Sequence, residues 1–245
     1  MMTNNKTYAG MSREELKNEL ADIDLELSER ELLDLIENFV SVTDSGDEDR
    51  VLPFAEKLAE QVGNADAAEV AGEIHFKRKH IPEAAGFFKL GAARGNTRAM
   101  LFMAEFYNWG QIPCEDPKKE YYYWVKKASG LGDVQASYQL AYCYRDGIGV
   151  KRNRQKYRAL LQEAADGGCA DAVKELAQLL IIGDRSVKPD LVKSRALLQQ
   201  LVDEGDGEAI FILACTYIDV DPQKCDALLR QAAAKKVPEA MALVY

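Results

Sequence analysis

The stretch AYCYRDGIGVKRNRQKYRALLQEAADGGCADA, residues 141–172, decides how this chain folds. Small and aromatic residues at helical spacing lead into a glycine turn, and a second helical pattern ends on an alanine pair closed by glycine. Working outward, the closing glycine recurs at Gly63, Gly95, Gly132, Gly168 and Gly205, and four residues after each stands an alanine: Ala67, Ala99, Ala136, Ala172 and Ala209. Self-similarity at a period of this size marks a repeat architecture. From each alanine runs the pattern A-x-x-x-[AL]-[GA]-x-x-[YHL], broken only by Met103 at the fifth position. Positions one, five and nine fall on one stripe of a helix, helix A, and the small residue at position six lets a neighbouring helix approach. Gly110, Gly147 and Gly183, eleven residues after their alanines, suit the left-handed conformation in which a helix stops and reverses. A second helix, B, then precedes each closing glycine. The large residue eight before that glycine, Phe87, Trp124, Leu160 or Leu197, is expected to be its core residue.

The Y-x-x-G-x-G-V loop from Tyr144 and the A-A-x-x-G closure resemble the Sel-one-like repeat family, helical-hairpin relatives of the tetratricopeptide repeat. The resemblance covers residues 64–245 as five repeats, at about 67–98, 99–135, 136–171, 172–208 and 209–239. It implies an all-α fold, an α/α right-handed superhelix (solenoid) acting as a protein-interaction scaffold. The first and last repeats depart from the pattern, lacking the loop glycine and running about five residues short. Asn153 stands where the family often has Asp.

Residues 51–63 read as an unpaired helix B stacked under the first full repeat. Upstream, residues 1–50 form a separate acidic segment of two amphipathic helices and a linker at 41–50. Ser12 with Glu15 and Ser28 with Glu31 match the capping box, and apolar residues follow at helical spacing. These helices are expected to cap the open end of the solenoid. Residues 1–50 hold five Lys or Arg against fourteen Asp or Glu, a surplus equal to the whole chain's net charge of −9. The remaining 195 residues are balanced, which argues against nucleic acid, whose binding needs a basic footprint. No run reaches the roughly 20 apolar residues of a membrane span, and no secretory signal opens the chain. Five cysteines in irregular spacing suggest reduced thiols. Together these point to a cytoplasmic protein. At the other end, residues 240–245 begin a sixth helix A.

The chain offers little for catalysis. His75 takes the position-nine slot and reads as core, His80 lies in a basic turn, and metal-binding, phosphate-loop and nucleophile-elbow motifs are missing. No catalytic residue, metal site or cofactor is expected. Cys143 and Cys215 on helix A read as small packing residues. Tetratricopeptide geometry, by analogy, places a groove along the A helices, at the residue before each alanine and at positions three, seven, ten and eleven. That selects Glu69, Glu73 and Phe76; Arg98, Leu101, Glu105, Asn108 and Trp109; Gln135, Tyr138, Tyr142 and Arg145; Lys174 and Gln178; and Phe211. Tyr, Trp and Arg are enriched in binding hot spots, so Tyr138 and Tyr142 are expected either to hold a protein or peptide partner without supporting the fold or to pack between adjacent A helices. Lys151, Arg152, Arg154, Lys156 and Arg158 form a basic run that is either a solvated loop or a dock for an acidic segment. Two alternatives to a scaffold stay open: a homodimer or larger oligomer built on the terminal helices, and an enzyme regulator.

Overall fold

The computed structural model describes residues 48–183 and 188–244. The two acidic helices expected between residues 12 and 39, and the final residue of the sixth helix A, lie outside the described residues. Within them the fold is all-α, with twelve α-helices and no strand. The chain divides into two compact units at residue 131.

The described part of the first unit opens with α1 (Glu48–Lys57), which runs into a π-helical turn at Leu58–Val62, and continues with α2 (Ala65–Lys77), α3 (Ile81–Ala93), α4 (Thr97–Asn108) and α5 (Pro117–Ser129). Helices α2 and α3 pair as one hairpin and α4 and α5 as the next, while α1 packs on α2 as the unpaired helix B expected there. That helix begins at Glu48, inside the stretch expected as linker, where the Glu48 carboxylate accepts from Lys77 Nζ at 2.9 Å. The second unit holds α6 (Val134–Asp146), α7 (Arg154–Asp166), α8 (Ala170–Ile182), α9 (Leu191–Asp203), α10 (Gly207–Cys215), α11 (Pro222–Ala234) and α12 (Pro238–Val244). Three hairpins stack in order, α7 against α8 and α9 against α10, and α12 lies on α11.

The repeat pattern has a physical cause at each position. Every closing glycine has a positive φ, between 83° and 96°, where any residue bearing a Cβ is strained. The next residue caps helix A: the side chains of Asn64, Asn96, Asp133 and Asp206 accept a backbone N–H of the first turn, while Cys169 makes no such bond. Helix B is capped in the same way by Asp116, Asn153, Asp190 and Asp221, so the departure at Asn153 costs nothing. The small residues at position six, Gly72, Ala104, Ala141, Ala177 and Ala214, are all buried. A Cβ on Gly72 would come within 2.7 Å of the Phe88 ring.

One expectation is corrected. Phe87, Trp124, Leu160 and Leu197 are only half-buried, and the fully enclosed helix B residues are their successors, Phe88, Val125, Leu161 and Leu198. Position 88 shares a stripe with Ala84 and Ala92, which faces helix A of the same hairpin, whereas position 87 is rotated about 100° from it. The earlier residue therefore sits at a hairpin's margin. Phe87, for example, stacks on His75 at 5.4 Å.

The last repeat also hides a break in the pattern. Lys236 has φ 65° and stands four residues before the buried Ala240, so it fills the closing-glycine slot without being glycine.

Candidate functional site

The groove residues chosen from the sequence fall on both units. On the first, Glu69, Glu73 and Phe76 of α2 share a face three and four residues apart, as do Arg98, Leu101, Glu105 and Asn108 of α4, with Trp109 as the C-cap of α4. Arg98 reaches across to Glu69 and Glu73, at 3.0 and 2.7 Å. Asn96 donates to Asp66 and Glu69 at 2.9 and 2.8 Å. Burial raises the Glu69 carboxyl above its ordinary range, against the Asn96 hydrogen bond and the Arg98 charge. It also raises Glu105, against a hydrogen bond from Asn108. Beside these polar groups is an aromatic stack: Phe76 lies against Trp109 at 6.2 Å with nearly parallel rings, and against Phe106 and Phe102 at 5.4 and 6.2 Å. The outer part of this stack is open, since Trp109 is 52% exposed. Leu101 is half-buried.

On the second unit the picture inverts. Tyr138, Tyr142, Arg145, Lys174 and Gln178 do come together, around a cavity of about 250 Å³ that Asp171, Glu175 and Glu208 complete. The centre is Glu175. Its Oε2 accepts from the hydroxyls of Tyr138 and Tyr142 at 3.1 and 2.5 Å, and its Oε1 accepts from Tyr157 at 2.7 Å and Arg145 at 3.1 Å. The two hydroxyls of α6 are themselves 2.8 Å apart, their rings meet edge to face, and the Arg145 guanidinium lies 3.8 Å over the Tyr142 ring. Burial, followed by these hydrogen bonds and the Glu175 charge, lifts the Tyr138 phenol far above its ordinary value. Tyr142 and Tyr157 are raised by burial and by bonding to Glu175. Lys174 is committed as well, to Glu208 at 2.7 Å, Asp171 at 3.1 Å and Asp206 at 3.7 Å. Burial pushes its ammonium down, but the bonds to Glu208 and Asp171 outweigh this and raise it.

Gln135 is exposed and accepts from Cys169 Sγ at 3.5 Å, and Phe211 packs against the cluster of Ile210, Ala232, Ala233 and Ala240. The basic run does not present five equivalent charges. Arg152 donates to the Asp146 carbonyl, Lys156 reaches the Tyr144 hydroxyl, and Arg158 is half-buried, leaving Lys151 and Arg154 the outward members. The reading from sequence missed Glu175, Tyr157, Asp171 and Glu208. Asp171 and Glu208 precede their repeat alanines, a slot the groove rule itself selects. Glu175 lies one residue past position three and carries no such signal.

His75 is buried, with Nε2 2.8 Å from Glu56 Oε1, as a core histidine should be. All five cysteines are unbridged, and burial pushes the Cys143 thiol up to about 12. Among the described residues no group of three His, Cys, Asp or Glu is placed to hold a metal, and no helix is long and apolar enough to cross a membrane.

Residues 97–133, 134–169 and 170–206 each match the Sel1 repeat. These matches begin two residues before Ala99, Ala136 and Ala172, at or beside the helix A starts. The chain is 34% identical over 98 residues to chitin synthase regulatory factor 2 of Schizosaccharomyces pombe, which is 40% of this chain but 19% of that protein, so the chain matches about a fifth of its relative. Among solved structures, the Sel1 repeat protein from Oxalobacter formigenes superposes with a TM-score of 0.75 at 22% identity, over 95% of this chain and 68% of that one. The protective antigen c5321 of uropathogenic Escherichia coli, described as displaying an SLR fold, gives 0.75 at 20% identity over 96% and 51%. This chain has their fold and carries three matched Sel1 repeats.

Proposed function

Starting from those three Sel1 repeats, we propose that the chain is a non-catalytic scaffold whose helix A faces hold a peptide or helix of another protein. The observation that carries the reading is the exposed indole of Trp109, backed by Phe76, on the first unit. A large ring fixed by its neighbours loses little freedom on binding, which is what a hot-spot residue requires. Glu105 and Asn108 supply polar contacts along the same helix. On the second unit, the exposed Gln178, Lys151 and Arg154 are available to an acidic partner. A relative named as a regulatory factor supports a role in steering another protein. Unbridged cysteines fit a reducing, cytoplasmic setting.

The test is affinity capture from the native cell with the wild-type chain and with Trp109→Ala, followed by titration of the recovered partner. Binding lost in the variant while melting is retained supports the reading; equal affinity for both chains rejects Trp109 as its anchor. Self-association is the second reading, favoured by the exposure of Met241 and Leu243 on α12. Light scattering that shows a mass rising with concentration, with no ligand added, would favour it.

A further inference from the structure

The hairpin connectors of the first unit differ in length. Residues 78–80 join α2 to α3, while residues 109–116 join α4 to α5. The longer connector helps wall a cavity of about 460 Å³ lined by Ile81, Ala85 and Gly86 of α3, Tyr107 of α4, and Ile112 and Pro113. A side chain at Gly86 would meet nothing within 4 Å. Lys89 also borders the space, and Lys79 is exposed in the short connector; neither forms an ion pair among the described residues. The result is an apolar hollow on a surface that carries two uncommitted ammonium groups.

The point where the described chain begins lies near this hollow. Glu48 is tied to Lys77, and Lys77 is four residues before Ile81 at the cavity wall. The 47 residues before Glu48 join the described chain at that end of α1, and they belong to the segment that holds the chain's whole acidic surplus. Residues 31–39, ELLDLIENF, place Leu32, Leu35, Ile36 and Phe39 at helical spacing with Glu31, Asp34 and Glu37 among them. The eight residues between Phe39 and Glu48 reach as far as roughly 30 Å when extended. An apolar stripe flanked by carboxylates complements an apolar hollow flanked by lysines.

We propose that this cavity is the docking site for the chain's own residues 31–39, whose leucine, isoleucine and phenylalanine side chains enter it while the carboxylates face Lys89 and Lys79. Tethering through a short linker gives the segment a local concentration in the millimolar range, so weak contacts suffice to hold it. The basic run at 151–158 then has no part in holding this segment.

Hydrogen exchange of the full-length chain tests the assignment. Amides of residues 31–39 are expected to be protected in the wild type. In Gly86→Leu, which fills the hollow, in Lys89→Glu, which reverses its charge without touching the core, and in Phe39→Asp, they should exchange about fivefold faster or more. Equal exchange in the wild type and all three variants would overturn the proposal. So would protection that grows with protein concentration, since that assigns the cavity to a second copy. Partner capture through Trp109 is read separately, so failure here leaves the scaffold function standing.

Discussion

The helix A faces of the two units are built from similar residue types and do opposite things. On the second unit, two tyrosines and an arginine, all binding residues by type, are bonded to one another through Glu175, and a lysine beside them is held by Glu208 and Asp171. On the first, the arginine is spent on Glu69 and Glu73, but the aromatic stack ends in an indole half open to solvent. Residue type alone does not tell a surface awaiting a partner from one already satisfied. What separates them here is one glutamate on α8, close enough to accept four hydrogen bonds from α6 and α7.

The contrast is most open to attack at that glutamate. Glu175→Ala would leave three half-buried phenols and Arg145 without their shared acceptor, and a loss of about 2–3 kcal/mol is expected in urea unfolding. An unchanged midpoint would show that the network does not hold these helices together, and the second face would then count as free. Next in size is Trp109→Ala, expected to cost about 2 kcal/mol of partner affinity, roughly thirtyfold in Kd. Its melting temperature should move much less than that of Glu175→Ala. If the two variants exchanged behaviours, the roles of the two units would be reversed.

A smaller effect should appear only in alkali. The phenols of Tyr138, Tyr142 and Tyr157 are all raised in the folded chain, so above about pH 10 the unfolded chain gives up protons that the folded one retains. Their contribution to stability is complete below that pH and falls as pH rises beyond it. Unfolding followed from pH 8 to 11 should therefore steepen above 10 in the wild type and flatten in the Tyr138→Phe, Tyr157→Phe double variant. The smallest expected change is at Lys236, the one closing position of the second unit without glycine. Lys236→Gly removes left-handed strain at some cost in chain entropy, for a net gain of about 0.5 kcal/mol by thermal melting. The same exchange at an ordinary helical lysine, such as Lys126 of the first unit, should instead destabilise by about 1 kcal/mol.

The fold was legible in the sequence because it is periodic. A glycine fixed by backbone sterics and an alanine fixed by helix approach recur at one offset, and each repeat restates the evidence of the last. Boundaries that depend on side-chain direction were less clear: Phe87 and Phe88 are both large and adjacent, and only the rotation of α3 decides which is enclosed. The site was legible as a set of positions and not as a set of bonds. Tyr138, Tyr142, Arg145 and Lys174 were found by register, yet the carboxylates that occupy them include Glu175 on α8 and Glu208 on α10, each two helices further along the chain than the groups it binds. Lys236 escaped notice because a lysine in a glycine's place erases the mark by which the slot is recognised.

Eight of the twelve helices are thirteen residues long, while the links between the two helices of a hairpin range from three residues to eight. Change in this protein is thus confined to the rims. Within the link at 109–116, the exposed Cys114–Glu115 step, clear of Trp109 and of the cavity wall at Ile112 and Pro113, is a natural place to graft a foreign epitope or a small reporter, because added length there asks nothing of the alanine ladder behind it.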